Sequence, residues 1–186
     1  MRLFVGCDLP DEIKQSILRF QSELRHLGVN GVWKSLDNFH ITLKFLGELE
    51  LDKISVLKET LSVVASNHNP FGLTIGGLGA FPSLKKPQTL WTAVGGGLTE
   101  LNRLRHDMHQ ELQIKGFKLD ERQFKPHITL ASRPTLDNDF SVVHTEILGE
   151  YMVEEIVLFE SSAIRGKRVY TDLYRAGFET MGKLNG

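Results

Sequence analysis

The chain has 186 residues, is 41% hydrophobic and 24% charged, and carries 22 basic against 23 acidic side chains. That length suits one domain, or two small lobes sharing a core, and the apolar content excludes a disordered chain. A formal net charge of −1 excludes a broad basic surface for long nucleic acid, so any nucleic-acid contact is expected to be local. Cys7 is the single cysteine, so an intramolecular disulfide is impossible. This fits a reducing compartment, and the cytoplasm is the expected location. Residues 1–8 form too short an apolar run for a signal peptide, and no stretch approaches the roughly 20 apolar residues of a membrane span.

In chain order, residues 3–7 are short and apolar and predict a buried strand. Pro10, with Asp8, Asp11 and Glu12 around it, marks a helix start. Ile13, Ile17, Phe20, Leu24 and Leu27 follow at helical spacing, and Gly28 supplies a left-handed stop. Residues 32–34 predict a short strand, and residues 39–45 alternate with period two as a half-buried strand does. Asp52 is placed to cap a second helix that carries Ile54, Leu57, Leu61 and Val64. Residues 71–75 predict a strand, and residues 76–87, rich in Gly and Pro, a loop. Residues 89–94 predict another strand. After Gly95, Gly96 and Gly97 comes a third helix with Leu101, Leu104, Met108 and Leu112, which Gly116 can end. Residues 127–131 alternate again. Residues 151–160 and 169–178 predict two late strands around a loop at 161–167, and residues 134–145 fit no element.

One pattern stands above this background. His40-Ile41-Thr42-Leu43 recurs as His127-Ile128-Thr129-Leu130, 127 − 40 = 87 residues later, close to half the chain. In a strand, residues i and i+2 share a face. His40 and Thr42 therefore share one face, and Ile41 and Leu43 the other; the second copy repeats this. A lone strand histidine is more often structural than catalytic. Two copies of an imidazole beside a hydroxyl are harder to read that way, because buried polar groups need partners. A pseudo-two-fold arrangement would bring the two strands side by side and give them one shared cleft. Two imidazoles can supply a base and an acid near neutral pH, and hydroxyls can donate to phosphate oxygens. The chemistry this suits is in-line cleavage of a phosphodiester without a metal.

The two His-x-Thr-x motifs, with x apolar, resemble those of the two-histidine (2H) phosphoesterases. The resemblance is specifically to the bacterial and archaeal RNA 2′,3′-cyclic phosphodiesterases, also called 2′-5′ RNA ligases. It extends over nearly the whole chain: Arg2-Leu3-Phe4-Val5, Asp8-Leu9-Pro10, Trp33, Phe45-Leu46-Gly47-Glu48, Gly79-Ala80-Phe81-Pro82, Leu90-Trp91, Phe124-Lys125-Pro126 and residues 161–170. The resemblance implies an α+β, bilobal, pseudo-two-fold fold within residues 1–186, a single domain of two intertwined lobes. Two antiparallel sheets would line a central groove, with helices outside. It also implies that His40 is the general acid, that His127 is the general base, and that Thr42 and Thr129 hold the phosphate. The product would be a 2′-phosphate. A 5′-hydroxyl in place of water would give 2′-5′ ligation without ATP. No cofactor, metal, membrane or protein partner is implied; the partner is an RNA end or nucleotide bearing a 2′,3′-cyclic phosphate. One departure stands out. Family members commonly carry Arg directly after the alanine of the second motif, where this chain has Ser132 followed by Arg133. In a strictly alternating strand that shift turns the Arg133 guanidinium to the opposite face, unless a bulge re-aims it.

Among weaker features, Trp33 and Phe45 could stack on a base, although alternation puts Phe45 with Phe39 on the apolar side. Lys34, Lys44, Lys125 and Arg165 could supply positive potential, and alternation makes Lys44 the best placed. Trp33 and Lys44 are therefore expected substrate contacts. Two other readings compete with the enzyme. One is a module that binds a nucleotide or RNA end without turnover. The other is a metal site on His40 and His127, which the poor ligand character of threonine disfavours.

Overall fold

A computed structural model of the chain describes residues 1–136 and 146–179. The strands are β1 (Arg2–Asp8), β2 (Val29–Trp33), β3 (His40–Glu48), β4 (Phe71–Phe81), β5 (Thr89–Gly96), β6 (His127–Leu136), β7 (Ile147–Val153), β8 (Glu155–Ile164) and β9 (Lys167–Gly177). The helices are α1 (Asp11–His26), α2 (Lys53–Ser66) and α3 (Leu98–Ile114). The class is α+β, with two antiparallel sheets ordered β3-β1-β8-β9 and β2-β6-β5-β4-β7. No helix among the described residues is long and apolar enough to cross a membrane.

The four strands β3-β1-β8-β9 correspond in order to β6-β5-β4-β7, with β2 added beside β6. β1 lies between β3 and β8, and β5 lies between β6 and β4. The histidine strands β3 and β6 thus hold equivalent places. They approach each other without sharing ladder bonds, so the expected side-by-side pairing is not made. The reason is that β1 takes one edge of β3, while β5 and β2 take both edges of β6. The chain also crosses between sheets: β8 and β9 return to β1, and β2 joins β6.

Each helix buries most of the stripe that its spacing predicts; Leu27 lies just past α1 and is exposed, and Ile54 is half-buried. α1 buries Ile13, Ile17, Phe20 and Leu24 and packs on β2 and β7. Asp11 and Glu12 in its first turn, and Arg25 and His26 in its last, complement the helix dipole. Gly28 follows at φ 91°. α2 buries Leu57, Leu61, Val64 and Ala65 and packs on β8, β9 and α3. Asp52 has helical backbone angles and makes no side-chain capping bond, so the expected cap is absent. α3 buries Leu101, Leu104, Met108 and Leu112 and also touches β3. Each such side chain contributes roughly 1.5–3 kcal/mol of burial, which outweighs a missing cap at about 1 kcal/mol.

Three boundaries differ from expectation. β4 runs on through the glycine-rich stretch to Phe81. Its glycines mark close packing: a Cβ on Gly79 would stand 2.1 Å from the Trp91 ring. The run 151–160 is two strands in different sheets, broken at Glu154. The expected loop at 161–167 narrows to a turn at Arg165 and Gly166, because Ser161 to Ile164 pair with Tyr170 to Lys167. Of the unplaced stretch 134–145, residues 134–136 extend β6, and the remainder lies outside the described residues.

Candidate active site

Both histidine motifs carry the same backbone device. In β3, Gly6 opposes Thr42 and Val5 opposes Lys44, so Leu43 is an extra residue in the ladder. In β6, Trp91 opposes Thr129 and Leu90 opposes Ala131, so Leu130 is the extra residue. These are β-bulges, which bend a strand and reset its alternation. Each freed carbonyl takes a bond from a helix side chain. Gln21 of α1 donates Nε2 to Leu130 O at 3.0 Å, and Arg105 of α3 donates Nε to Leu43 O at 3.2 Å. Gln21 is itself buried and also donates to Lys34 O. Gly6 allows β1 to lie close against the first motif, since a Cβ there would stand 2.6 Å from Ile41 O.

The imidazoles are oriented alike. His40 donates Nδ1–H to Asn38 O at 3.0 Å, and His127 donates Nδ1–H to Lys125 O at 2.6 Å. In the neutral ring this leaves the lone pair on Nε2. Each ring also meets an aromatic edge-on: Tyr170 at 4.9 Å from His40 and Phe81 at 4.9 Å from His127. The surroundings then diverge. His40 packs on Phe4 at 4.7 Å, and its Nε2 meets Thr42 Oγ1 at 3.0 Å. Burial drives its pKa down to about 4, with Asn38 O and the Asp8 carboxylate opposing that fall. The His127 pKa is also lowered, first by burial and then by the Lys125 ammonium, with Lys125 O opposing. Asp8, opposite His40 in the ladder, is held by Lys14 at 2.8 Å and Arg175 at 2.7 Å.

Thr42 and His127 line a cavity of about 710 Å³ together with Phe45, Phe81, Arg122 and Lys125. His40 lines a second cavity of about 420 Å³ with Asp8, Tyr170 and Arg175, and its Nε2 bond to Thr42 links the two. The strands that carry the two rings, β3 and β6, are in contact. Two imidazoles held through Nδ1, with the His40 Nε2 on the Thr42 hydroxyl, and the neighbouring cations can bind an anionic phosphate and move protons around it.

The segments 7–91 and 96–170 match the model of the LigT-like phosphoesterases. The chain belongs to the LigT-like phosphoesterase family. A relative from Archaeoglobus fulgidus, named RNA 2′,3′-cyclic phosphodiesterase, is 34% identical over 179 residues, covering 93% of this chain and 98% of the relative. A crystal structure from Thermus thermophilus aligns with a TM-score of 0.79 at 26% identity, covering 96% of this chain and 98% of that one. Escherichia coli LigT complexed with 3′-AMP aligns with a TM-score of 0.74 at 29% identity, covering 95% and 97%.

Within this LigT-like frame, the weaker sequence expectations are re-sorted by the bulges. Lys44 lines the cavity of Thr42 and His127, but the Leu43 bulge takes it out of alternation with them. Leu43 and Lys44 both oppose Val5 and are both buried, and the Lys44 ammonium bonds to Asp120 through its carbonyl and its carboxylate. Lys44 thereby ties down the irregular segment 117–126, as does Arg105, which donates to Arg122 O and lies 4.8 Å over Phe124. Phe45 instead stands opposite Phe4, on the groove face, and is 52% exposed. Trp33 packs on the core with the Arg25 guanidinium 4.8 Å over its ring, and lines neither cavity. Lys125 lies 4.7 Å over Trp91 beside His127. Lys34 is half-buried near Arg168, and Arg165 sits at the β8–β9 turn with φ 49°. After the Leu130 bulge, Ser132 opposes Thr89 and so shares the Thr129 face. Arg133, at φ 49°, and Pro134 together oppose Gly31 in a further bulge.

Sequence reasoning gave no role at the site to Phe4, Phe81, Arg122, Tyr170 or the Asp8 carboxylate. The apolar run around Phe4 carries no sign of which face meets the groove. Arg122 is brought in by an irregular segment, to which periodicity does not apply.

Proposed function

We propose that this phosphoesterase opens RNA 2′,3′-cyclic phosphate ends to 2′-phosphates without a metal. His127 takes a proton from water on Nε2 as the water oxygen attacks phosphorus. The P–O3′ bond breaks, and His40 gives its Nε2 proton to O3′. Thr42 and Thr129 donate to the non-bridging oxygens, and Phe45 offers a face to the terminal base. With His40 down to about 4, the free protein holds it neutral at pH 7, so the bound phosphate must draw in the acid's proton. A 5′-hydroxyl in place of water gives 2′-5′ ligation, which dilute RNA ends in water disfavour.

The observation that carries this reading is the matched pair of imidazoles. Each is fixed through Nδ1 to the carbonyl two residues before it, and each has a threonine two residues further along its strand. The Archaeoglobus fulgidus relative, named for that activity, supports this reading. The test is incubation with an RNA ending in a 2′,3′-cyclic phosphate, with and without EDTA. A 2′-phosphate formed equally in both is expected. A 3′-phosphate would reverse the assigned bond cleavage, loss of activity in EDTA would remove the metal-free step, and binding without turnover would leave a binding module.

A further inference from the structure

Beyond Phe45 the groove opens into a further cavity of about 480 Å³, lined by Arg2, Phe45, Lys118, Asp120 and Arg122 among others. It shares Phe45, Asp120 and Arg122 with the cavity that holds Thr42 and His127. Its charges are unequal. Asp120 is the one carboxylate on its wall, against three cations, and it is already engaged by Arg122 Nε at 2.8 Å and by Lys44. Arg2 and Lys118 are exposed and form no salt bridge among the described residues. Glu48 stands opposite Arg2 in the β1–β3 ladder but lies outside this wall. The chain as a whole carries a formal net charge of −1, so this excess is local and does not reflect a generally basic surface.

We infer that this cavity binds the backbone phosphate of the nucleotide preceding the RNA terminus, with Arg2 and Lys118 as its ligands, so that the protein selects chain ends over free nucleoside cyclic phosphates. The inference rests on the cyclic phosphodiesterase reading above. If the terminal cyclic phosphate lies at Thr42 and His127, its nucleoside fills the first cavity and reaches Phe45. The next group along the chain is an anionic phosphodiester, and the adjoining cavity presents two cations that form no salt bridge among the described residues. Both are exposed, so each contact has the strength of a surface ion pair, which amounts to a few-fold in binding. Neutralising one phosphate of a single strand adds about 0.7 to the slope of log affinity against log salt.

The test compares a nucleoside 2′,3′-cyclic phosphate with a trinucleotide ending in the same group. Substrates are turned over by the natural chain and by the double variant Arg2→Gln, Lys118→Gln. The natural chain is expected to prefer the trinucleotide by about three- to tenfold in kcat/KM, with a salt slope steeper by about 0.7. The double variant is expected to lose both differences, while its turnover of the mononucleotide, too short to reach this cavity, serves as the internal reference. An equal loss on both substrates, or an undiminished preference in the variant, overturns the inference. Titrating the 2′-phosphate forms of both ligands gives an independent readout. If neither cyclic substrate is cleaved, the enzymatic reading falls, and equal affinity for the two 2′-phosphates overturns the chain subsite on its own.

Discussion

The two His-Ile-Thr-Leu strands have identical side chains and matched bulges, yet they differ in what surrounds the imidazole. His40 is packed between Phe4 and Tyr170, bonded to Thr42, backed by Asp8, and pushed down to about 4. His127 has Phe81 at its edge and the Lys125 ammonium beside it, with no hydrogen bond between its ring and Thr129. A cation beside one ring favours its neutral form, as a base requires. A carboxylate behind the other lets it hold a proton once an anion arrives. Equal motifs are thus given unequal proton affinities by residues outside them. Because the proposed acid His40 is itself pushed down to about 4 in the free protein, the proposed division of roles depends on the charge of the bound phosphate.

The largest expected effect comes from removing either imidazole. His40→Ala and His127→Ala should each lose about 10²–10⁴-fold in turnover with unchanged melting behaviour. The double variant should be worse by much less than the product, because both groups act on one transition state. A single variant with near-normal turnover would remove that histidine from the chemistry.

Next come the hydroxyls. Thr42→Val and Thr129→Val each delete one bond to a charged oxygen, costing on the order of 1.5–3 kcal/mol, or roughly 10–100-fold in kcat/KM. Only Thr42 bonds to its imidazole, so only Thr42→Val should also move the pH profile. Profiles displaced equally by both would erase that distinction.

The pH dependence itself separates the two rings. Both free-enzyme pKa values lie below the usual 6.5, so the bell in kcat/KM should have both limbs below about 6.5. Bound phosphate raises the His40 pKa, so the basic limb of kcat should lie at higher pH than that of kcat/KM. Lys125→Gln removes a charge that lowers the His127 pKa, and the His127 limb should rise. Asp8→Asn removes a charge that raises the His40 pKa, and the His40 limb should fall. Both variants moving the same limb would contradict the assignment, and a flat profile would sink the two-histidine mechanism.

The smallest effect concerns the bulges. Gln21→Leu withdraws one donor from Leu130 O, while Lys34 N–H still reaches it at 2.8 Å. Stability should fall by about 1 kcal/mol, with turnover reduced a few-fold because His127 and Thr129 are aimed less well. A thermal melt beside kcat separates the two losses. Unchanged turnover would mean that the bulge holds its shape without Gln21.

The chain by itself determined a good deal. The helical stripes on α1, α2 and α3, the stops at Gly28 and Gly116, and the His-x-Thr pairing are local or periodic. Backbone geometry ties such patterns to a face whatever lies beyond them. The repeat also fixed the two catalytic candidates before any contact was known. Tertiary structure decided the rest. Period-two reasoning holds only while the ladder is unbroken, and one extra residue at Leu43 was enough to send Lys44 inward to Asp120 and Phe45 out to the groove. No residue type announces that bulge; it is stabilised by Arg105, 62 positions away. The proton affinities of the two histidines are likewise a property of neighbours such as Tyr170 and Lys125. Burial and charge–charge interaction depend on distance in space, and distance in the chain does not report it.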